Sequence, residues 1–540
     1  MQHFYRTTFV ALFLVSSLLV TAQANFSSQL PLLVIDTDGG GEIRDEPKID
    51  ATLKIIDNPS GVNRPRDPGT DYVGPIGIEL RGSSSQSFPK KGYGFELREA
   101  DGGDTDASLL GMPEEEDWIL HGPYSDKSLV RNALAYRLAE RIMPYAPRTR
   151  LTEVVINGDY RGVYLLTERI KRDDNRVDIA KLNPDENTGD DVTGGYILKL
   201  DKATGEPGGV EILFESAYRA DTDFQQRIRF LYHYPRADRI SDPQKDYIQN
   251  WMADFEDALA ANDWLDPVTG YRQYVDLQSF VDFFIINELS RNVDGYRIST
   301  YFYKDKESNG GKLHMGPVWD FNLGFGNADY CRGSDPEGWA YEFPQNCPED
   351  FWQVPFWWQR LRQDPEFQRL LAQRWTTLRD GPFSNGNLNR MIDSLVNEVG
   401  MQAIDRNFNR FPVLSEYVWP NAFVGGNYNE ELLYLKNWVR TRAIWMDGNI
   451  ETTISTGNPV AGRVVNFAPN PTRGPIRMLD METQPIREVR VYDAYGRMVH
   501  SAYGADLGQS MDLSTVAPGV YTLTCVTFGG ERLTSRVVRQ

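Results

Sequence analysis

Residues 287–322 read NELSRNVDGYRISTYFYKDKESNGGKLHMGPVWDFN, a stretch with the pattern of a β-hairpin between two carboxylates. A strand-like run at 300–304 is followed by a turn and by an apolar run that ends at Asp320, while Asp294 precedes the first strand. A hairpin brings its two ends together, so we expect Asp294 and Asp320 to face one site.

The two carboxylates suit different tasks. One can orient a hydroxyl group, and the other can bind a divalent cation through hard oxygen ligation, with Asn322 as a second oxygen ligand. The simpler interpretation of Asp294, which precedes Gly295, is a turn aspartate. Asp320 follows an apolar Pro-Val-Trp segment, so we expect a partly buried carboxylate that needs a metal ion or an arginine such as Arg297 as its partner.

Strands dominate the chain before this stretch, and helices dominate from residue 277 onward. Strand-like runs occur at 32–36, 51–57, 76–81, 94–98, 153–157 and 162–168, with one helix expected at 127–143 that Ser125 or Asp126 would cap. Helical spacing occurs at 277–289, 365–378, 388–399 and 429–446. We predict an α+β fold, a two-lobed domain with a cleft between the lobes.

The composition argues against several classes of protein. With 57 basic and 76 acidic side chains, the formal net charge of -19 disfavours nucleic acid and anionic lipid surfaces as partners. Between residue 25 and the C-terminal tail the only histidines are His121, His233 and His314, without an HExxH or paired CxxC motif, which argues against a zinc enzyme. GxSxG and Walker A motifs are also missing, so the candidate chemistry rests on carboxylates, amides and cations.

The chain has three cysteines, too few for a disulfide-dense scaffold. Cys331 and Cys347 lie 16 residues apart in a loop-like stretch, a spacing that allows a disulfide after export. We expect Cys525, in the tail, to be a buried thiol.

The two ends of the chain predict export. Arg6, an apolar run at 9–20 and Ala22-Gln23-Ala24 have the pattern of a signal peptide over residues 1–24. The apolar run is shorter than the roughly 18 residues of a membrane-spanning helix, so we expect no membrane span after cleavage. Residues 451–462 (ETTISTGNPVAG) have the composition of a linker between a domain at 25–450 and short alternating strands at 463–540.

The C-terminal segment carries Pro469-Asn470-Pro471, an Asp-x-x-Gly-Arg turn at 493–497 and the sequence PGVY at 518–521. With these motifs it resembles the C-terminal sorting domain of the type IX secretion system of Bacteroidetes. The resemblance implies a small all-β (sandwich) domain that addresses the chain to the type IX secretion machinery. The chain would then be secreted or attached to the outer-membrane surface.

The region between residues 30 and 449 resembles the spore-coat kinase (CotH) family, a divergent branch of the protein-kinase-like fold. The motifs that carry this resemblance are, in chain order, DEPKI (45–49), RGSSS (81–85), PKK (89–91), LLG (109–111), GPYSDKS (122–128), RN (131–132), GVY (162–164), ERIKRD (168–173), NVDG (292–295) and WDFN (319–322). For the fold, the resemblance implies a two-lobed divergent protein-kinase-like domain.

For the activity, the resemblance implies transfer of the ATP γ-phosphoryl group to Ser or Thr of proteins, with ATP and Mg²⁺ or Mn²⁺ as cofactors. Asp294 matches the catalytic-loop aspartate, and Asp320 matches the metal-binding aspartate of a DFG-like motif. Phosphoryl transfer asks a protein mainly for positioning and charge neutralisation, which this residue set can supply. The chain departs from ordinary kinases in lacking GxGxxG and in having Ser299 five residues after Asp294, so metal binding is expected to rely on Asp320 and Asn322, with Asn292 contributing.

The groups expected to contact the nucleotide come from three places in the sequence. Backbone N–H groups of the RGSSS loop can approach phosphates, and an adjacent lysine can neutralise them. The candidate cofactor-binding residues are Arg81, Ser83, Ser84, either Lys90 or Lys91, and Glu168.

Three functions remain open. The first is a secreted or cell-surface Ser/Thr kinase acting on exported proteins. The second is a catalytically inactive kinase-like adhesin or surface-binding scaffold. The third is transfer of a nucleotidyl group from ATP. Retention of both Asp294 and Asp320 favours catalysis.

Overall fold

The computed structural model of the chain describes residues 26–204, 212–451, 467–478, 486–493, 497–503, 511–527 and 532–540. The chain divides into two compact units between Ile454 and Ser455, a position inside the segment predicted as a linker. The predicted signal peptide (1–24) and residues 452–462 of that linker lie outside the described residues.

The first unit begins with a closed seven-stranded β-barrel. Its strands follow the order β1-β2-β3-β4-β5-β7-β6 and are antiparallel except where β1 meets β6. Apolar side chains alternate along the strands and fill the interior. The strands are β1 (Leu32–Thr37), β2 (Ile49–Ile56), β3 (Tyr72–Arg81), β4 (Gly92–Leu97), β5 (Asp117–His121), β6 (Thr149–Ile156) and β7 (Asp159–Glu168).

The prediction of a two-lobed, kinase-like α+β domain is wrong, because the strand-rich front of the chain is this closed barrel. Alternation along a strand shows which residues face inward, but it carries no information about whether the first and last strands pair. Here β1 runs parallel to β6, with Leu32 opposite Glu153 and Ile35 opposite Ile156, and this pairing closes the barrel.

A five-stranded antiparallel sheet follows the barrel in the order β12-β11-β8-β10-β9. The predicted hairpin is confirmed, since β11 pairs with β12 and Phe302 lies opposite Met315. The strands are β8 (Tyr196–Leu200), β9 (Leu213–Arg219), β10 (Arg227–Tyr234), β11 (Thr300–Lys304) and β12 (Leu313–Met315).

Helices complete the first unit and share a large core with this sheet and with the outer face of β7. Val163 and Leu165 of β7 join this core, while Tyr164 and Leu166 point into the barrel. The helices are α1 (Arg131–Ala139), α2 (Asp242–Ala260), α3 (Leu277–Ser290), α4 (Phe343–Asn346), α5 (Trp357–Leu361), α6 (Pro365–Asp380), α7 (Asn385–Val399), α8 (Met401–Arg410) and α9 (Tyr428–Glu451).

The predicted helix at 127–143 is shorter than expected. Leu129 has a positive φ of 65°, which interrupts helical geometry, and α1 begins only at Arg131. Asp126 still accepts hydrogen bonds from the backbone N–H groups of Ser128 and Arg131, at 3.1 and 2.8 Å. Asp126 thus binds the first N–H group of α1, but the residue that precedes the helix is Val130, so the predicted cap at Ser125 or Asp126 is wrong.

The second unit is all-β in its described residues, as predicted for the tail. A three-stranded sheet has the order β13-β14-β17, and a four-stranded sheet has the order β16-β15-β18-β19. The strands are β13 (Phe467–Ala468), β14 (Pro475–Met478), β15 (Ile486–Tyr492), β16 (Met498–Tyr503), β17 (Met511–Asp512), β18 (Gly519–Thr527) and β19 (Arg532–Arg539).

The disulfide that the cysteine spacing allows is present, and the prediction for Cys525 is confirmed. Cys331 and Cys347 form a disulfide with their Cα atoms 5.6 Å apart. Cys525 is a buried free thiol, and burial raises its pKa to about 12.

Candidate active site

Asp320 lies five residues after β12 in a backbone conformation that is uncommon for residues other than glycine, although aspartate adopts it more readily than most. Its φ is +61°, in the left-handed region. Two side chains of α1 fix this turn: the N–H of Asp320 donates to the Tyr136 hydroxyl at 3.2 Å, and the N–H of Phe321 donates to Asn132 Oδ1 at 2.6 Å. Helix α1 thereby sets the position of the Asp320 carboxylate.

Asp294 lies in the turn between α3 and β11. Its Oδ1 accepts a hydrogen bond from Arg297 Nη2 at 2.9 Å. Asn292 connects this turn to the other carboxylate, because its Nδ2 donates to the backbone oxygen of Asp320 at 3.1 Å while its Oδ1 accepts from the N–H of Asp294 at 3.3 Å. The structure thus brings the two ends of the hairpin to one place, as the sequence predicted.

Negative charge accumulates around Asp320. Burial raises its pKa to about 7, and the charges of Asp294 and Asp201 add to this effect, while Arg81 and Lys202 oppose it. Burial also raises the pKa of Asp294, and Arg297 is the strongest opposing charge. Within the described part of the chain, no hydrogen bond or ion pair reaches the Asp320 carboxylate.

Sequence reasoning missed Asp201 and Lys202. They directly follow β8, and the last residue of that strand, Leu200, pairs with Thr300 at the start of β11. This register brings Asp201 next to the turn that carries Asp294. The sequence does show that the carboxylate of Asp201 follows an apolar strand. Only the pairing of β8 with β11 shows that Asp201 belongs to this site.

A small cavity lies between the barrel and the Asp320 turn. Its volume is about 90 Å³, whereas pockets that bind drug-sized ligands measure about 300 Å³ or more. It is lined by Arg81, Gly82, Ser85, Gly92, Ile119, Leu120, His121, Gly122, Asn132, Tyr136, Thr167, Trp319 and Asp320. The cavity can enclose a phosphate-sized group, and a nucleotide would extend beyond it.

A family model described as CotH kinase protein matches residues 78–446 of the chain, more than half of its length. The chain belongs to the CotH kinase protein family. A second model, described as secretion system C-terminal sorting domain, matches residues 466–540. No curated protein matched the chain.

The sorting domain marks this CotH family member for secretion and cell-surface attachment through the type IX machinery. Among the described residues, no helix is both long and apolar enough to cross a bilayer. The match to the sorting domain agrees with the secreted or surface-attached localisation that the C-terminal segment predicted.

Arg81 of the CotH domain lines the cavity together with Asp320. Its guanidinium lies 5.8 Å from the centre of the Trp319 ring, and burial lowers its pKa. Among the described residues, the Arg81 guanidinium has no hydrogen-bond or ion-pair partner. Arg81 is therefore a cation available to an anion in this cavity.

The serine loop and Lys91 lie next to Arg81. Ser83 and Ser84 are exposed, and residues 84–87 form a single 3-10 turn. Lys91 donates from Nζ to the backbone oxygen of Gln86 at 2.6 Å, which ties the lysine to this turn. Neither serine lines the cavity, although Gly82 and Ser85 do.

Lys90 points away from this loop into the protein. It is 2% exposed, donates to Asn407 Oδ1 of α8 at 2.7 Å, and lies 5.2 Å from the centre of the Tyr164 ring. Burial lowers its pKa well below the ordinary value for lysine. These contacts anchor α8 to the barrel, and Lys90 does not line the Asp320 cavity.

Glu168 also has structural partners. It is fully buried at the end of β7, where it pairs with Arg148 at 2.8 Å and Arg176 at 3.2 Å and accepts from the Tyr145 hydroxyl at 3.3 Å. Its neighbour Thr167 lines the Asp320 cavity, whereas Glu168 does not.

The carboxylates fit a hard divalent cation in their chemistry. Asp320 lacks a partner among the described residues, and its neighbours Asp294 and Asp201 add negative charge that a cation would offset. In the described chain, oxygens of these three residues do not come within 4.8 Å of one another as a group, so they form no closed cage. A divalent cation held here would need further oxygen ligands in addition to these carboxylates, such as phosphate oxygens.

The other two predicted metal ligands differ in availability. The side chain of Asn292 already bonds to backbone groups at both of its polar atoms. Asn322 is partly exposed, and its backbone oxygen accepts a hydrogen bond from Asn327 Nδ2 at 2.8 Å. The side-chain amide of Asn322 makes no hydrogen bond to any described residue.

Proposed function

We propose that the CotH domain transfers the γ-phosphoryl group of ATP to Ser or Thr hydroxyls of exported proteins. The observation that carries the proposal is the partly buried Asp320 carboxylate, which has no partner among the described residues, shares a cavity with Arg81 and lies in the field of Asp294. An uncompensated buried carboxylate is costly and is characteristic of functional sites.

Each residue has a defined task in this proposal. Asp320 holds the cation, with Asn322 as a second oxygen ligand, and Arg81 binds phosphate oxygens. Asp294 orients the acceptor hydroxyl and receives its proton, and Arg297 fixes the direction of the Asp294 carboxylate. A bound Mg²⁺ or Mn²⁺ would neutralise charge on the transferred group.

The remaining predicted residues have supporting tasks. Backbone N–H groups of the turn that contains Ser83 and Ser84 are available to phosphates, and Lys91 lies close enough to this turn to hold it. We assign Lys90 and Glu168 to the framework around the site, because their side chains are occupied by Asn407 and by two arginines.

The test is incubation of the purified chain with γ-labelled ATP, Mg²⁺ or Mn²⁺ and candidate exported proteins. We expect label transfer by the wild type and a loss of about a thousandfold or more in Asp294→Asn and Asp320→Asn. Asp242→Asn, at a carboxylate whose side chain is 94% exposed on α2, is the matched control and should retain activity. Absence of transfer together with absence of ATP-dependent thermal stabilisation would refute the proposal.

The alternative function is a surface-binding scaffold without catalysis. The small volume of the cavity favours it, since about 90 Å³ does not enclose a nucleotide. ATP-independent binding to a surface protein or glycan, unchanged in Asp320→Asn, would support this alternative. Label incorporated from the α position of ATP and not from the γ position would instead indicate nucleotidyl transfer.

A further inference from the structure

Arg297 connects Asp294 to a separate part of the chain. Its side chain is only 3% exposed, and while Nη2 donates to Asp294, Nη1 donates to Asp350 Oδ1 at 3.2 Å and to the backbone oxygen of Trp352 at 3.1 Å. Its guanidinium also stacks 3.9 Å from the centre of the Phe343 ring. Nε donates to the backbone oxygen of Val293 at 2.7 Å, within the turn itself, so residues 343–352 supply the contacts that reach Arg297 from outside this turn.

Those residues lie in and directly after the loop closed by the disulfide between Cys331 and Cys347. Phe343 is inside the loop, and its backbone oxygen accepts from the N–H of Cys347 at 2.8 Å. The backbone oxygen of Cys347 accepts from the N–H of Asp350 at 3.2 Å and from Gln353 Nε2 at 2.8 Å. Two of the residues that contact Arg297, Phe343 and Asp350, are thus hydrogen-bonded to Cys347, one half of the disulfide.

The other half of the disulfide also lies near Asp294. Tyr330 precedes Cys331; burial raises the pKa of its hydroxyl, and Asp294 is the leading charge that adds to this effect. Farther along the loop, the N–H groups of Ala340 and Tyr341 donate to Glu288 at 2.7 and 3.1 Å, at the end of α3. The loop is therefore hydrogen-bonded to the end of α3 at its middle and, at its Cys347 end, to residues that contact Arg297.

We propose that the loop closed by Cys331 and Cys347 positions Asp294 through Arg297, so that phosphoryl transfer depends on the oxidised disulfide. This inference rests on the function proposed above. Reduction would add two electrons and two protons to the disulfide and give two thiols, with a dithiol reductant becoming a disulfide. The loop would then lose the covalent link that holds Phe343 and Asp350 against Arg297.

A biological consequence follows from the export of the chain. Thiols stay reduced in the cytoplasm, whereas disulfides form and persist outside it. Before export the loop would be open and Asp294 poorly positioned. The enzyme would therefore gain its full activity only after leaving the compartment where ATP and unrelated acceptor proteins are abundant.

The main experiment compares kcat and KM for ATP in the full chain before and after treatment with a dithiol reductant. We expect kcat to fall about tenfold to a hundredfold, because Asp294 acts on the reacting hydroxyl, while KM for ATP changes less than twofold. The double variant Cys331→Ser/Cys347→Ser should show the same low kcat and no further response to the reductant. Cys525→Ser, at the thiol in the second unit, should behave as the wild type.

A second pair of variants leaves the disulfide in place. Asp350→Asn should lower kcat, and Asp350→Glu, which retains the carboxylate, should recover part of it, with circular dichroism verifying that both variants fold. If the wild type is active and neither reductant nor the Asp350 variants change kcat, the inference is wrong and the proposed function stands.

Hydrogen exchange gives a readout that does not require activity. If the loop positions the turn, reduction should speed amide exchange within residues 292–299 while leaving exchange in the barrel strands unchanged. If exchange at 292–299 is the same in oxidised and reduced protein, the inference is refuted even if no acceptor protein has been found.

Discussion

Replacing Asp320 with asparagine should make the protein more stable while abolishing phosphoryl transfer. Asparagine has nearly the same shape as aspartate and carries no charge. The Asp320 carboxylate is partly buried, has no partner among the described residues, and lies close to the negative charges of Asp294 and Asp201. Ionised Asp320 therefore destabilises the folded protein, and the substitution removes this cost.

The size of the effect follows from the raised pKa. A pKa of about 7 instead of 3.8 is about three units, or about 4 kcal/mol at 1.36 kcal/mol per unit. Because the side chain is partly exposed, solvent screening reduces this figure, and we expect about 2 kcal/mol. The folded state binds the proton more tightly, so the wild type is penalised progressively as the pH rises from about 4 through 7, and the variant gains most above pH 7.

The assay is urea unfolding at pH 5, 6.5 and 8 in the presence of EDTA, followed by tryptophan fluorescence. All 12 tryptophans precede residue 446, so the signal reports on the first unit. Addition of Mg²⁺ with ATP should then stabilise the wild type and not Asp320→Asn. Equal stability of the two proteins at pH 8 in EDTA, or equal stabilisation by Mg²⁺ with ATP, would refute this reasoning.

Three other substitutions test separate features. Arg81→Ala should raise KM for ATP about tenfold and lower the free energy of unfolding only slightly, because this guanidinium makes no hydrogen bond to a described residue and loses only its contact with Trp319 and its charge near Asp320. ATP titration and urea unfolding measure the two effects. Burial raises the pKa of Glu256 to about 7, so the wild type loses stability as the pH rises from 4.5 through 7. Glu256→Gln should therefore have a free energy of unfolding about 3 kcal/mol higher than the wild type at pH 8 and no higher at pH 4. Arg442→Met leaves Glu288 buried without its counter-charge, so the free energy of unfolding measured by urea titration should fall by about 3 to 5 kcal/mol. An unchanged free energy of unfolding would contradict a structural role for this ion pair.

The hairpin and its two carboxylates could be predicted from the sequence, because the signals are local. A strand, a turn and a second strand within 300–315 leave little choice of pairing, and the ends of a hairpin must meet. The closure of the barrel could not be predicted in this way. It depends on β1 pairing in parallel with β6, two strands separated by about 120 residues, and alternation within either strand is the same in an open sheet and in a closed one.

The choice among the cations near the serine loop shows a second limit. Lys90 and Lys91 are adjacent and identical in type, so the sequence offers no way to choose between them. In the structure Lys90 turns inward to Asn407, Lys91 binds the neighbouring turn, and Arg81 alone among the three lines the Asp320 cavity. Between β3 and β4 the chain has no regular period, so the direction of each side chain depends on tertiary packing.

The charge at the site and the rigidity around it belong together. Ionised carboxylates near Asp320 destabilise the folded protein unless a cation binds, yet the segment that carries Asp294 must keep its geometry. It begins directly after α3, where buried Glu288 accepts from Tyr296, from two loop N–H groups and from Arg442, a fully satisfied network. The disulfide between Cys331 and Cys347 closes the same loop covalently. The Glu288 network and the disulfide thus both constrain the segment that carries Asp294. This arrangement is expected when a site whose buried charges destabilise the folded protein must stay ordered before its ligand binds.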